Sequence, residues 1–80
     1  METTEQVQIK IGLKLMELRK AMGYTSHEGF AYDYDIPRVQ YWRMERGRAN
    51  LTLNSLLKLL RIHRLSIEDF FYSLSQAARK

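Results

Sequence analysis

The chain has 80 residues, 45% of them apolar, with no cysteine and a formal net charge of +4. That length holds one domain, the apolar share excludes a disordered tail, and a core this small contributes little net stability unaided. Without thiols there are no disulfides and no thiolate metal sites, which fits a reducing compartment. The two histidines, His27 and His63, are far apart and have no ligand spacing around them, so neither a metal nor a cofactor is expected. No apolar run approaches the roughly 18 residues that span a bilayer. The start, METTEQVQIK, is acidic and polar, unlike a signal peptide, and the expected location is the cytoplasm. Charge is unevenly spread. From Arg38 to Arg64 there are seven basic residues against one acid, Glu45, whereas the first 37 residues hold four bases and six acids. The second half carries the electrostatic footprint of a nucleic-acid binder.

In chain order, residues 1–6 are polar and expected to fray. Val7, Ile9, Ile11, Leu13 and Leu15 alternate as a strand would, but Val7, Ile11, Leu15, Leu18 and Met22 keep helical spacing, and only that pattern continues. The first helix is therefore placed at about 7–22, stopped by Gly23. Gly12 within it marks either close packing or a weak first turn. Ser26 caps a short second helix at about 27–34, with Glu28 in its first turn and Phe30, Ala31 and Tyr34 on one face. Asp35, Ile36 and Pro37 break it, and proline suits the start of the next helix. That third helix, P-R-V-Q-Y-W-R-M-E-R-G at 37–47, turns Tyr41 and Met44 one way and Val39, Trp42, Arg43 and Arg46 the other. Two short helices joined by a tight turn make a helix-turn-helix at about 26–47.

After a polar loop, Thr52 caps a fourth helix with Leu53, Leu56, Leu57 and Leu60 as its stripe. Ser66, with Asp69 three residues on, opens a fifth helix carrying Ile67, Phe70, Phe71 and Leu74. Part of that set completes the core, and any excess makes a dimer surface. Residues 76–80 are expected to fray. The fold class is all-α, a compact five-helix bundle in one domain.

Residues from about Ile11 to Phe71 resemble the phage-repressor type of helix-turn-helix domain, the Cro/repressor or xenobiotic-response-element family. The matching signals are I-G-x-x-L-x-x-L-R at 11–19, S-x-E-x-F-A at 26–31, R-M-E-R-G-R at 43–48, L-x-x-L-L-K-L-L at 53–60 and S-x-E-D-F-F at 66–71. Each is weak alone, and the ordered set is specific. The resemblance implies a lambda-repressor-like bundle whose third helix enters the major groove of double-stranded DNA. It places Arg38, Val39, Gln40, Trp42 and Arg43 where relatives read base edges, and His27 where they touch phosphate. Arg46, Arg48 and Asn50 fall in the loop that flanks the backbone. Arg19 and Glu45 match a pair that ties the first helix to the end of the recognition helix. The chain departs from the pattern at Asp35, where glycine is usual, and at Pro37, where Ser or Thr caps. Leu60 stands for a common alanine, an extra residue precedes Ser26, and aromatic residues are dense.

The residues themselves keep plainer readings beside these. Arg38 and Arg43 suit guanine O6 and N7, or they touch phosphate or solvent. Gln40 suits adenine, Val39 a thymine methyl. Trp42 has three destinations: DNA, a second protein, or a cation–π stack with Arg38 or Arg46. Glu45, an anion among arginines, is expected to turn inward. No cysteine, glycine-rich phosphate loop, serine–histidine arrangement or carboxylate pair placed in a cleft supports an enzyme. The expectation is a sequence-specific transcriptional regulator, acting as a homodimer on a two-fold site. The alternative is a protein-interaction module on the same scaffold, an antitoxin or accessory subunit.

Overall fold

Hydrogen-bonded caps set where most of the helices begin. The structure, a computed structural model, describes residues 1–77, and residues 78–80 of the expected frayed tail lie outside the described residues. Five helices and no strand occur among the described residues: α1 (Thr4–Ala21), α2 (His27–Asp33), α3 (Arg38–Glu45), α4 (Leu53–His63) and α5 (Ile67–Ala77). The last helix thus still includes residues 76 and 77. The chain divides into two compact units, Met1–Asn50 and Leu51 onward.

In the first unit, α1 starts earlier than its apolar pattern suggests. Thr3 and Gln6 form a capping box, with the Thr3 hydroxyl accepting from the Gln6 amide and the Gln6 side chain accepting from the Thr3 amide. Ile11, Leu15 and Arg19 are its buried line, while Met22 is exposed at the helix end. The core they meet is aromatic. Phe30 and Tyr41 are fully buried with ring centroids 5.0 Å apart, and Tyr24 and Tyr34 close on Phe30 at 5.4 and 4.8 Å. Each such burial contributes about 1.5–3 kcal/mol before entropy is counted.

Gly12 marks close packing. A Cβ there would lie 2.5 Å from the Glu45 carbonyl oxygen and 2.6 Å from that of Met44, so α1 lies directly on the last carbonyls of α3. Gly47 repeats the device, because its missing Cβ would lie 2.8 Å from the Ile9 Cα. These two approaches fix α3 against α1.

In the second unit, the Thr52 hydroxyl caps α4 by accepting from the Ser55 amide, and the Ser66 hydroxyl accepts from the Asp69 amide in α5. The buried stripe of α4 is Leu56, Leu59 and Leu60, whereas Leu53 and Leu57 are exposed. Leu56 and Leu60 of the expected stripe are therefore in place, and Leu59 stands where Leu53 and Leu57 were expected. Leucines crowd this helix so closely that two neighbouring faces are both apolar in sequence. From α5, Phe70 and Leu74 enter the core. No described helix is long and apolar enough to cross a membrane.

Candidate nucleic-acid interface

The helix-turn-helix is built from α2, the turn at 34–37 and α3. The Ser26 hydroxyl accepts from the Gly29 amide and starts α2. Its end is a two-bond turn in which the Asp35 and Ile36 amides donate to the Tyr32 and Ala31 carbonyls, with Asp35 at φ 57°. Asp is one of the few residues with a side chain that takes this left-handed geometry readily. Pro37 then sits at the head of α3 with φ −55° and no side-chain cap. Gly47 (φ 70°) closes α3 with a matching two-bond turn.

Tyr41, Met44 and Glu45 of α3 are buried, and Arg38, Val39, Trp42, Arg43 and Arg46 are exposed. At about 100° per residue those five fall within an arc of about 140°. Gln40 is also exposed but lies toward the far flank of that arc. The exposed face therefore presents three guanidiniums, one indole and one isopropyl group on a single short helix. Val39, at 61% exposure, is a largely uncovered apolar group on this face.

Around this face, the Arg43 Nη2 donates to the Arg48 carbonyl at 3.2 Å, which draws its side chain toward the loop after α3. Arg48 and Asn50 are exposed on that loop. The Gln8 amide nitrogen donates to the Asn50 side-chain oxygen at 2.5 Å, so the amide nitrogen of Asn50 keeps its donors. His27, half-buried at the head of α2, has its ring 6.4 Å from that of Trp42. The Arg46 guanidinium lies 5.3 Å from the centre of the Trp42 ring. Of the three destinations open to Trp42, the stack on Arg46 is present, and the residue remains 38% exposed.

Beneath the face, Arg19 and Glu45 form a buried two-pronged pair. Arg19 Nε and Nη2 donate to the two Glu45 carboxylate oxygens at 2.7 and 3.0 Å, and Nη1 donates to the Tyr24 carbonyl at 3.0 Å. The hydrogen bond to Glu45 raises the Arg19 pKa and outweighs burial, which lowers it. Burial, then the neighbouring Glu45, raises that of Tyr41. The one acid of the basic stretch is thereby withdrawn from the exposed face. Among the described residues no cluster of His, Cys, Asp and Glu could hold a metal ion.

The four α5 residues separate. Phe70 and Leu74 are buried and cannot belong to a dimer surface, because completing the core takes both. Ile67 and Phe71 are exposed, and Tyr72, outside the expected set, is 66% exposed beside them. Also unanticipated were Gln8 and the hydrogen bond from Arg43 to the Arg48 carbonyl. The Gln8 contact with Asn50 spans 42 residues and depends on where the chain returns in space, whereas the Arg43 bond spans only five and depends on the turn that closes α3.

No family model matches the chain. Over 70 residues it is 30% identical to the control protein C.MunI of a Mycoplasma species, a match covering 88% of this chain and 95% of that protein. In structure it is similar to a point mutant of the restriction–modification controller protein C.Esp1396I, with a TM-score of 0.78 and 26% identity. That match covers 100% of this chain and 98% of the other.

Proposed function

The chain belongs to the control-protein family, helix-turn-helix regulators of the Cro/repressor type, and from that premise we propose that it governs a restriction–modification gene set as a homodimer on a two-fold-related operator. It is a DNA-binding transcriptional regulator, and its work is binding, not catalysis. Such a protein acts in the cytoplasm, where the duplex is.

The observation that carries this reading is the exposed arc of α3, with its guanidiniums outward and its one carboxylate buried. In the major groove, Arg38 and Arg43 read guanine edges, Val39 meets a thymine methyl and Gln40 reaches a flanking adenine. His27, Arg46, Arg48 and Asn50 hold the sugar–phosphate backbone, which sets register without reading sequence. Both sets act in each protomer.

Selection of bound sequences from a random duplex pool tests this directly. A palindromic site with half-sites about one DNA turn apart is expected. With four phosphates neutralised, by Arg46 and Arg48 of two protomers, raising salt from about 50 to 200 mM weakens binding about 100-fold. Arg43→Ala relaxes preference at one base pair, whereas Arg48→Ala weakens all sequences alike. A flat salt response, or no enrichment from the pool, sinks the reading in favour of a protein-interaction role.

A further inference from the structure

Trp42 is the chain's only tryptophan, and it stands inside the exposed arc with much of its indole in contact with the protein. It lies one helical turn before Arg46, the spacing at which two side chains on a helix meet. Arg46 is the last residue before the α3 turn, and the Gly47 and Arg48 amides fix the backbone just beyond it by donating to the Met44 and Arg43 carbonyls. The backbone that carries Arg46 is therefore held on both sides. Its long side chain rests with the guanidinium 5.3 Å from the indole centre. The His27 ring approaches the same indole from the head of α2 at 6.4 Å. Trp42, Arg46 and His27 line one groove together with Ile9, Leu13 and Met16 of α1 and the paired Arg19 and Glu45.

A guanidinium stacks through its face and donates hydrogen bonds through its edge. An Arg46 lying on an indole thus keeps its N–H groups for an anion while losing little freedom when it binds one. An ammonium on the same ring has no such division of labour.

We propose that Trp42 is a positioning residue for a DNA backbone phosphate. Its ring holds the Arg46 guanidinium with the donating edge outward, and His27 at the other helix flanks the same phosphate. This rests on the DNA-binding reading above and adds to it a function for the one aromatic residue in the arc. Trp42 contributes to affinity through Arg46 and does not select bases.

The experiment is a salt titration of binding to the pool-selected duplex, with wild type, Trp42→Phe, Trp42→Ala, Arg46→Met and the Trp42→Ala, Arg46→Met double variant. Trp42→Ala is expected to bind about two- to five-fold more weakly per protomer, the size of an exposed cation–π contact. Its salt slope stays at the wild-type value because no charge is lost. Trp42→Phe keeps a ring face and stays within about two-fold of wild type. Arg46→Met lowers the slope by about 1 per protomer, and in that background Trp42→Ala adds nothing. If Trp42→Ala does not fold by thermal unfolding, Trp42→Leu, which keeps bulk without a ring face, replaces it. Equal losses with and without Arg46 overturn the proposal, as does a changed base preference or a Phe variant as weak as Ala. A wild-type protein that ignores duplex DNA overturns the underlying reading as well, so the two failures are distinguishable.

Discussion

A carboxylate on a helix that faces phosphate repels it, and Glu45 avoids this by pointing into the protein at Arg19. Both side chains are nearly buried, and the pair is bidentate. A buried pair is no large stabiliser, since desolvation offsets much of the attraction, but removing one partner strands the other charge. Glu45→Ala is therefore expected to cost about 3–5 kcal/mol, a large share of the stability available to a domain of this size. It shows as a lowered midpoint in thermal or denaturant unfolding. Replacing both residues, Arg19→Met with Glu45→Leu, recovers most of that loss because no charge remains in the core. The recovery is incomplete because the Arg19 bond to the Tyr24 carbonyl goes as well. A single variant that unfolds at the wild-type midpoint sinks this account of the pair.

At the scale of elements, the described helices α1 to α4 end alike. In each, the two amides past the end donate back to carbonyls of the last turn: Gly23 and Tyr24, Asp35 and Ile36, Gly47 and Arg48, Arg64 and Leu65. The turn needs one residue at positive φ. Glycine supplies it twice, Asp35 once, and Arg64 takes φ 57° with a full side chain. That conformation costs a residue with a Cβ about 1–2 kcal/mol, against up to about 1 kcal/mol of backbone entropy that glycine loses on folding. Arg64→Gly is thus expected to raise stability by up to about 1 kcal/mol, read as a higher denaturation midpoint. Asp35→Gly gains less, since Asp visits this region more readily. An Arg64→Gly protein no more stable than wild type means that the strain is relieved elsewhere.

These endings also mark how far the sequence was legible. Ser26, Thr52 and Ser66 announce helix starts because a cap acts over three residues, a range a spacing argument reaches. The stops at Gly23 and Gly47 are equally local. Arg64 carries no such mark, because nothing in an arginine signals left-handed backbone. The Thr3 box is hard to see in the sequence because the alternating run from Val7 to Leu15 obscures the first turn. Half of the α4 stripe, Leu56 and Leu60, is legible, and the other half is not because Leu53, Leu57 and Leu59 leave its edge undecided in one dimension. At the interface, the identities of the exposed arc follow from helical period alone. The stack of Arg46 on Trp42 was one of three readings, and only side-chain placement selects among them.

For the molecule as a whole, one eight-residue helix contacts too few base pairs to single out an operator. In the homodimer proposed above, two copies on two-fold-related half-sites would supply the missing discrimination, and the second unit exposes apolar residues that could pair them. With Phe70 and Leu74 committed to the core, α5 still exposes Ile67, Phe71 and Tyr72. Phe71 is held edge-on to Phe70 at 5.4 Å, so its ring is anchored from behind and presented outward. An isologous contact through this face buries apolar surface at little conformational cost. In sedimentation at micromolar concentration the wild type is expected as a dimer, and an Ile67→Glu, Phe71→Glu double variant as a folded monomer. That variant keeps α3 intact, so it still binds DNA with a salt-dependent affinity, but it loses cooperative occupancy of the two half-sites. Its preference for a palindrome over an isolated half-site disappears. A wild type that sediments as a monomer and loads DNA one copy at a time removes the α5 interface from the account. A double variant that remains dimeric moves the interface to another face.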